Sequence, residues 1–176
     1  MRSGTIRVRA HRISKWWSVL VAFVVAAIDG ASKSAVIRRY GPESDRHGRA
    51  LIGDWLSLSY ARNTGVAFSM LRGHRDLAGL LGVVAVSALV VGYLRMRHQS
   101  PLLVVGAGLV GGGAVGNLVE RLRAGHVTDF ISVGRWPTFN LADSAITVGV
   151  IMLLWVFTSE DGAARAGTRL RLEDRR

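Results

Sequence analysis

Apolar runs separated by charged segments set the pattern of this chain. No Asp, Glu, Lys or Arg lies within 77–94 or within 99–119. A helix of about 20 residues crosses the roughly 30 Å hydrocarbon core of a bilayer, so each run is long enough to span a membrane. A further run, 144–159, is slightly short, and residues 140–142 lengthen it at its amino end. This extension predicts that Asp143 lies at the membrane edge.

The first apolar run, 16–28, allows two interpretations. It follows a basic leader, as the core of a cleaved secretory signal peptide would, but no clean A-x-A cleavage site comes after it. In the second interpretation the helix continues to residue 37 and accepts Asp29 and Lys33 within the span. These two residues are four apart, so they share one helical face and can pair.

Four spans place both termini on the same side of the membrane. Both tails and the link at 95–100 are rich in arginine, so the positive-inside rule places them in the cytoplasm. Between spans, 51–70 partly alternates apolar and polar residues, and 125–139 contains turn residues, which favours extended structure. The sequence therefore predicts an all-α membrane protein, a four-transmembrane-helix bundle with a small extracytoplasmic β-sheet.

The same pattern divides the chain into one membrane domain and two tails. The predicted parts are a basic cytoplasmic tail (1–15), a membrane domain (16–157) with extracytoplasmic segments at about 38–75 and 122–139, and a charged cytoplasmic tail (158–176).

The composition changes this picture little. A formal net charge of +11 would suggest a nucleic-acid partner in a soluble protein, but here the charges lie in blocks between apolar runs. A nucleic-acid binder would be soluble without detergent, which the apolar runs argue against. The chain has no cysteine, which excludes disulfides, a thiolate nucleophile and Cys-ligated zinc.

Polar residues recur on one face of three of the predicted spans. An ionisable group within a span is costly, so it normally faces the bundle interior or a wet cavity and indicates a functional site. The helix directions bring all three polar stripes to the same membrane face. The second span is uncharged, and we expect it to be a scaffold that faces lipid. The stripes consist of Asp29 and Lys33 in the first span, Asn117, Glu120 and Arg121 in the third, and Asn140 and Asp143 in the fourth.

Two other features of these segments have simpler explanations. Gly108, Gly112 and Gly116 follow the spacing of a helix contact and are expected to serve packing. Arginines near the span ends can place their charges among lipid head groups, and we prefer that explanation for Arg123 and Arg135.

Asp129 and Asp143 indicate a specific chemistry. Both lie in apolar surroundings, and two carboxylates brought together at such a site cannot both ionise, so one keeps its proton. An aspartic protease requires this state. A small transporter or proton-conducting protein is the alternative, although the charges cluster at one interface. A serine protease is disfavoured because no G-x-S-x-G motif is present.

Four separate blocks resemble those of the lipoprotein signal peptidase family, also called signal peptidase II. Residues 29–33 resemble D-Q-x-T-K, and 63–68 resemble N-x-G-A-A-F. Residues 112–121 followed by 125–130 resemble G-G-A-x-G-N-L-I-D-R and G-x-V-x-D-F, and 139–144 resemble F-N-x-A-D-S. Four blocks in order between predicted spans form a specific match.

The resemblance implies an intramembrane aspartic endopeptidase of the bacterial cytoplasmic membrane. It would remove signal peptides from diacylglyceryl-modified prolipoproteins, cutting before the lipidated cysteine. It implies no metal or organic cofactor and no nucleic-acid partner, and a monomer in contact with membrane lipid is expected. Asp129 and Asp143 would be the catalytic pair. The residues that would bind substrate or support the site are Asp29, Lys33, Asn63, Asn117, Arg121 and Asn140.

Three departures from the family pattern bear on these roles. Gly30 and Ser32 replace the family's Gln and Thr but keep the Asp29/Lys33 pair. Glu120 replaces an Asp, and we interpret it as a structural carboxylate at a helix end. The link between Asp129 and Asp143 is also compact, which predicts a narrow extracytoplasmic rim.

Overall fold

The computed structural model describes residues 14–44, 48–64, 84, 87–88, 91–93, 95 and 100–173, with side-chain environments as far as residue 158. Its helices are α1 (Trp16–Tyr40), α2 (Pro101–Ala124) and α3 (Leu141–Glu173). Its strands are β1 (Arg49–Ile52), β2 (Leu56–Asn63) and β3 (Val127–Val133). The molecule is therefore mostly helical with a small sheet, as the sequence predicts.

Three helices in the described part of the chain are long and apolar enough to cross a membrane: Trp16–Tyr40, Pro101–Ala124 and Leu141–Thr158. The helix α1 continues without a break through Asp29 and Lys33, as its longer interpretation predicts. Most of the predicted second span lies outside the described residues, although positions 84, 87–88, 91–93 and 95 are helical. The count of four helices therefore stays a prediction.

The end of the second apolar run contacts α1, where the sequence predicts a lipid-facing scaffold. The Tyr93 hydroxyl donates to Ser18 Oγ at 3.0 Å. Tyr93 also packs against the buried cluster of Leu103, Val110, Leu153 and Val156. A polar ring edge that finds a partner inside the bundle is more stable there than in lipid. Tyr93 is therefore a packing residue, whereas Ser87 is exposed.

The helix α2 lies between α1 and α3 and has well-defined ends. Ser100 caps it by accepting a hydrogen bond from the Leu103 N–H, with Pro101 in the first turn. At the other end, Gly125 adopts a left-handed conformation with φ of 73° and stops the helix. This fixed end places Asn117 and Glu120 at the same level as the start of the next strand.

Glycines allow α2 to approach both neighbouring helices closely. A Cβ atom at Gly112 would lie 2.5 Å from the backbone oxygen of Ala22 in α1. A Cβ at Gly113 would lie 2.5 Å from the backbone oxygen of Ala142 in α3. The expected packing role of the glycine stripe is supported at Gly108 and Gly112, which face α1.

The three strands form one antiparallel sheet in the order β1-β2-β3. Both extended segments predicted between spans contribute to it, although 65–70 of the first lies outside the described residues. After β3 the chain turns at Gly134, with φ of 51°, and returns so that Phe139 pairs with Ile131. The compact link is thus a hairpin that brings the start of α3 back to β3.

The helix α3 continues to Glu173, well beyond the end of its apolar part at Thr158. The sequence assigns 158–176 to a charged tail without predicting its structure. The backbone of that tail is helical through residue 173.

Candidate functional site

Three polar stripes meet at one end of the helix bundle, and Lys33 lies at their centre. Its Nζ atom is 2.7 Å from Asp29 Oδ2 in α1 and 3.0 Å from Glu120 Oε2 in α2. It also donates to Asn117 Oδ1 at 2.7 Å. The ammonium group thus lies within ion-pair distance of two carboxylates and donates a hydrogen bond to an amide oxygen. With Lys33 and Asp29 only 4% and 1% exposed, this is a buried and fully paired cation.

Asp129 reaches the site from the middle of β3. It pairs across the sheet with Ala61 of β2, which places it on the same sheet face as Asn63, two residues further along β2. The Asn63 Nδ2 donates to Asp129 Oδ2 at 2.9 Å. The register of β2 against β3 thus brings the Asn63 amide to a carboxylate that is 3% exposed.

Asp143 reaches the site from the first turn of α3. The backbone N–H of Asp143 donates to Asn140 Oδ1 at 3.0 Å, while the Asn140 N–H donates to Asp143 Oδ2 at 3.2 Å. This reciprocal pair is a capping box with the acid at its third position. Asn117 Nδ2 donates to the other oxygen, Asp143 Oδ1, at 2.8 Å. Asp143 itself is half-buried.

Asn140 connects the two aspartates. Its Nδ2 donates to Asp129 Oδ1 at 2.8 Å, while its backbone N–H is the donor to Asp143. Asn140 is fully buried. Its amide orientation follows from its partners, because Oδ1 must accept from the Asp143 N–H and only Nδ2 can face a carboxylate. The prediction that the two aspartates belong to one site is consistent with this shared contact.

The electrostatic environment of Asp129 favours a neutral carboxyl. Burial raises the pKa of Asp129 above its ordinary value, and the negative charge of Asp143 acts in the same direction. The amide donors of Asn63 and Asn140 and the positive charge of Lys33 act in the opposite direction. The net result is a carboxyl that keeps its proton to higher pH than an exposed Asp.

The structure joins most of the predicted site residues in one hydrogen-bonded network. Arg121 is the exception, because its side chain makes no hydrogen bond or ion pair with any residue in the described ranges. Gly30 and Ser32, the departures in the first block, lie outside the network, and Ser32 Oγ donates only to the Asp29 carbonyl. The network consists of Asp29, Lys33, Asn63, Asn117, Asn140, Asp129 and Asp143, together with Glu120.

The sequence interpretation of Glu120 as a structural carboxylate does not identify the groups that this carboxylate binds. Its Oε1 accepts from the backbone N–H of Thr128 at 3.1 Å, at the start of β3. Asp29 has a similar contact, since its Oδ1 accepts from the backbone N–H of Ala142 at 3.0 Å. Backbone partners leave no sequence signal. Within the described ranges, no cluster of three or more His, Cys, Asp or Glu side chains could hold a metal ion.

Comparison with known families identifies a match over most of the chain. The sequence model of the family described as signal peptidase (SPase) II matches residues 21–159. This range includes every residue of the network described above.

Individual relatives agree with this match. A lipoprotein signal peptidase of Syntrophomonas wolfei is 42% identical over 139 residues, covering 79% of this chain and 89% of the relative. One of Rhodococcus jostii is 43% identical over 164 residues, covering 88% and 77%. A solved bacterial membrane enzyme, determined by the in meso method at 1.9 Å resolution, superposes with a TM-score of 0.69 and 27% identity, covering 80% of this chain and 91% of that one.

Proposed function

This chain belongs to the signal peptidase II family, and on that premise we propose that Asp129 and Asp143 are the catalytic pair of an aspartic endopeptidase. Its substrates are prolipoproteins whose cysteine carries a diacylglyceryl group, and cleavage occurs just before that cysteine. The observation that carries the proposal is the shared contact of both carboxylates with Asn140.

In the proposed reaction the two carboxyl groups have different roles. Ionised Asp143 takes a proton from water, and the oxygen of that water attacks the carbonyl carbon of the scissile peptide bond. Protonated Asp129 donates its proton to the carbonyl oxygen. When the resulting tetrahedral intermediate collapses, the C–N bond breaks, Asp143 returns its proton to the leaving nitrogen, and Asp129 recovers its own from the hydroxyl.

The surroundings of each carboxyl support this assignment. Burial raises the pKa of Asp129, which supports placing the shared proton on Asp129. Asp143 lies in the first turn of α3, where the helix N-terminus favours a negative side chain. Asp143 is also more exposed than Asp129, which suits the group that must meet water.

The position of the site fits a substrate that is anchored in lipid. The network lies where α1 and α2 end and α3 begins, hence at one edge of the membrane-spanning helices. A diacylglyceryl chain stays in the hydrocarbon while the polypeptide after the cysteine stays in water, so the scissile bond lies at such an edge. We assign this edge to the extracytoplasmic side of the bacterial cytoplasmic membrane, with both termini in the cytoplasm.

The remaining polar residues divide into two roles. Asn63, Asn117 and Asn140 hold the carboxylates, since each donates to Asp129 or Asp143. Arg121 follows the network on α2 without joining it, so its guanidinium is the group we assign to the substrate backbone.

The test is cleavage of one diacylglyceryl-modified precursor by the purified protein in detergent. Asp129→Asn and Asp143→Asn should each abolish cleavage while the protein still inserts into membranes and keeps its helical content. Arg38→Met, on the exposed surface of α1, is the control and should cleave normally. Turnover that survives either Asp substitution would remove that residue from the pair. Movement of protons or solute into liposomes without cleavage would support the transporter alternative.

A further inference from the structure

Lys33 is paired with two carboxylates that have matching second contacts. Asp29 binds Lys33 with Oδ2 and, with Oδ1, accepts the backbone N–H of Ala142. Glu120 binds Lys33 with Oε2 and, with Oε1, accepts the backbone N–H of Thr128. Each carboxylate thus joins the same ammonium group to one backbone N–H.

The two backbone groups occupy equivalent places in the site. Thr128 directly precedes Asp129 on β3, and Ala142 directly precedes Asp143 on α3. One carboxylate therefore holds the chain one residue before the first aspartate, and the other does so before the second. Thr128 and Ala142 are both 0% exposed, so these contacts are shielded from competing water.

A third contact of Lys33 leads directly to a carboxyl group of the proposed pair. Asn117 Oδ1 accepts from Lys33, which obliges its Nδ2 to point the other way, toward Asp143 Oδ1. The Oδ1 atom of Asn117 also accepts a hydrogen bond from Asn140 Nδ2 at 3.3 Å. Lys33 therefore fixes the orientation of the Asn117 amide as well as the backbone beside both aspartates.

We infer that Lys33 is a positioning residue that sets the separation of Asp129 and Asp143 through the Asp29 and Glu120 carboxylates. The inference rests on the proposed function, since it takes those two aspartates as the catalytic pair. Lys33 touches neither of them by a hydrogen bond or ion pair in the described structure. Its positioning effect is therefore indirect, and it adds to the charge by which Lys33 lowers the pKa of Asp129. A displacement of about 1 Å between catalytic groups can cost about 100-fold in rate.

Substitution of Lys33 tests this effect. Lys33→Met keeps the length of the side chain but removes the ammonium group, so both carboxylates lose their common partner. We expect kcat on the lipid-modified precursor to fall about 100-fold with little change in KM, because the substrate-facing surface is retained. Arg38→Met removes a cation five residues further along α1, on its exposed surface, and should leave kcat unchanged.

Glu120 provides a second test that does not require Lys33→Met to fold. Gln at this position has one oxygen, so it can accept from Lys33 or from the Thr128 N–H but not both. Glu120→Gln should lower kcat on the order of 10-fold, as for loss of an outer hydrogen-bond partner of a functional group. Glu120→Asp restores the second oxygen, as in the family pattern, and should recover most of the activity. The Lys33→Met/Glu120→Gln double variant should lose no more than Lys33→Met alone, because both changes break one linkage.

The outcomes separate this inference from the proposed function. If the Asp129 and Asp143 variants are inactive but folded Lys33→Met and Glu120→Gln cleave at the wild-type rate, the positioning role is wrong and the catalytic pair stands. If Glu120→Asp is as impaired as Glu120→Gln, the proposal that Glu120 acts by joining Lys33 to the Thr128 N–H through its two oxygens is also wrong. Turnover in the Asp129 or Asp143 variants would refute the proposed function itself.

Discussion

The Asp29 carboxylate of the first helix accepts a hydrogen bond from the backbone N–H of Ala142, 113 residues later in the chain, at 3.0 Å. Both residues are almost completely buried. This bond connects a membrane-spanning helix directly to the first turn of α3, next to Asp143. The bundle and the proposed catalytic pair are therefore parts of one packed structure.

Asp29→Ala should destabilise the protein strongly. It removes one of the two carboxylates that neutralise buried Lys33 and leaves the Ala142 N–H without its acceptor. Breaking a buried ion pair typically costs about 3–5 kcal/mol. Denaturant unfolding in micelles would measure this loss. Ser34→Ala, an exposed α1 position whose hydroxyl only donates to the Gly30 carbonyl, is the control. Equal stability of the two variants would contradict the role of the pair.

Gly112→Ala should weaken the contact between α1 and α2. The added Cβ would lie 2.5 Å from the Ala22 backbone oxygen and 2.8 Å from its Cα, and a backbone cannot move aside cheaply. Overpacking of this kind costs about 1–3 kcal/mol. At the adjacent Gly111 the same atom would meet only the Ala22 Cβ, at 4.0 Å. Gly111→Ala should therefore be neutral or slightly stabilising in a thermal melt, and a reversed order would refute the packing described.

Asn63→Ala should change the pH dependence of cleavage. The Asn63 amide stabilises the charged form of Asp129, so its removal raises the pKa of Asp129 further. In the proposed mechanism activity is lost as pH rises through that pKa, since Asp129 must be protonated. The alkaline limb of the kcat profile should therefore move to higher pH. Arg62→Gln, exposed on the same strand, should leave the limb in place. An alkaline limb that stays in place, with the acid limb moving to higher pH instead, would assign the proton to Asp143.

Tyr93→Phe should affect stability but not cleavage. It removes the hydroxyl that donates to Ser18 Oγ, a hydrogen bond worth about 1 kcal/mol. Ser18 lies about 16 Å along α1 from Asp29, given 1.5 Å per helical residue, so the site itself is untouched. A small decrease in melting temperature with unchanged kcat is the expected result. A large loss of kcat would show that this end of the bundle is coupled to the site.

Much of the site can be predicted from residue spacing. Asp29 and Lys33 are four apart, and Asn140 precedes Asp143 by three, so a helix or a helix cap brings each pair together without further information. The same spacing places Asn117 and Glu120 on one face of α2. These local patterns, together with the direction of the helices, suffice to predict that the polar stripes converge.

The parts that spacing misses depend on how separate elements pack. Glu120 and Arg121 are adjacent, and successive helical residues point about 100° apart, so only one of them can face Lys33. The sequence assigns the functional role to Arg121, whereas the network contains Glu120. The nearest neighbour of Gly116 is a side-chain atom, Asp29 Oδ2, which would lie 3.0 Å from an added Cβ, whereas the Ala26 Cα would lie 3.9 Å away. Gly116 therefore makes room for a buried carboxylate as well as for helix packing.

The hairpin that turns at Gly134 and closes with the pairing of Phe139 and Ile131 fixes the chain length between the two acids of the site. Asp129 lies on its first strand, β3, and Asp143 lies four residues after Phe139. Exposed side chains on this loop, such as Trp136, can vary without moving either acid. A single inserted or deleted residue would instead shift the whole start of the last helix out of phase with β3. We therefore expect this segment to tolerate substitutions but not insertions or deletions.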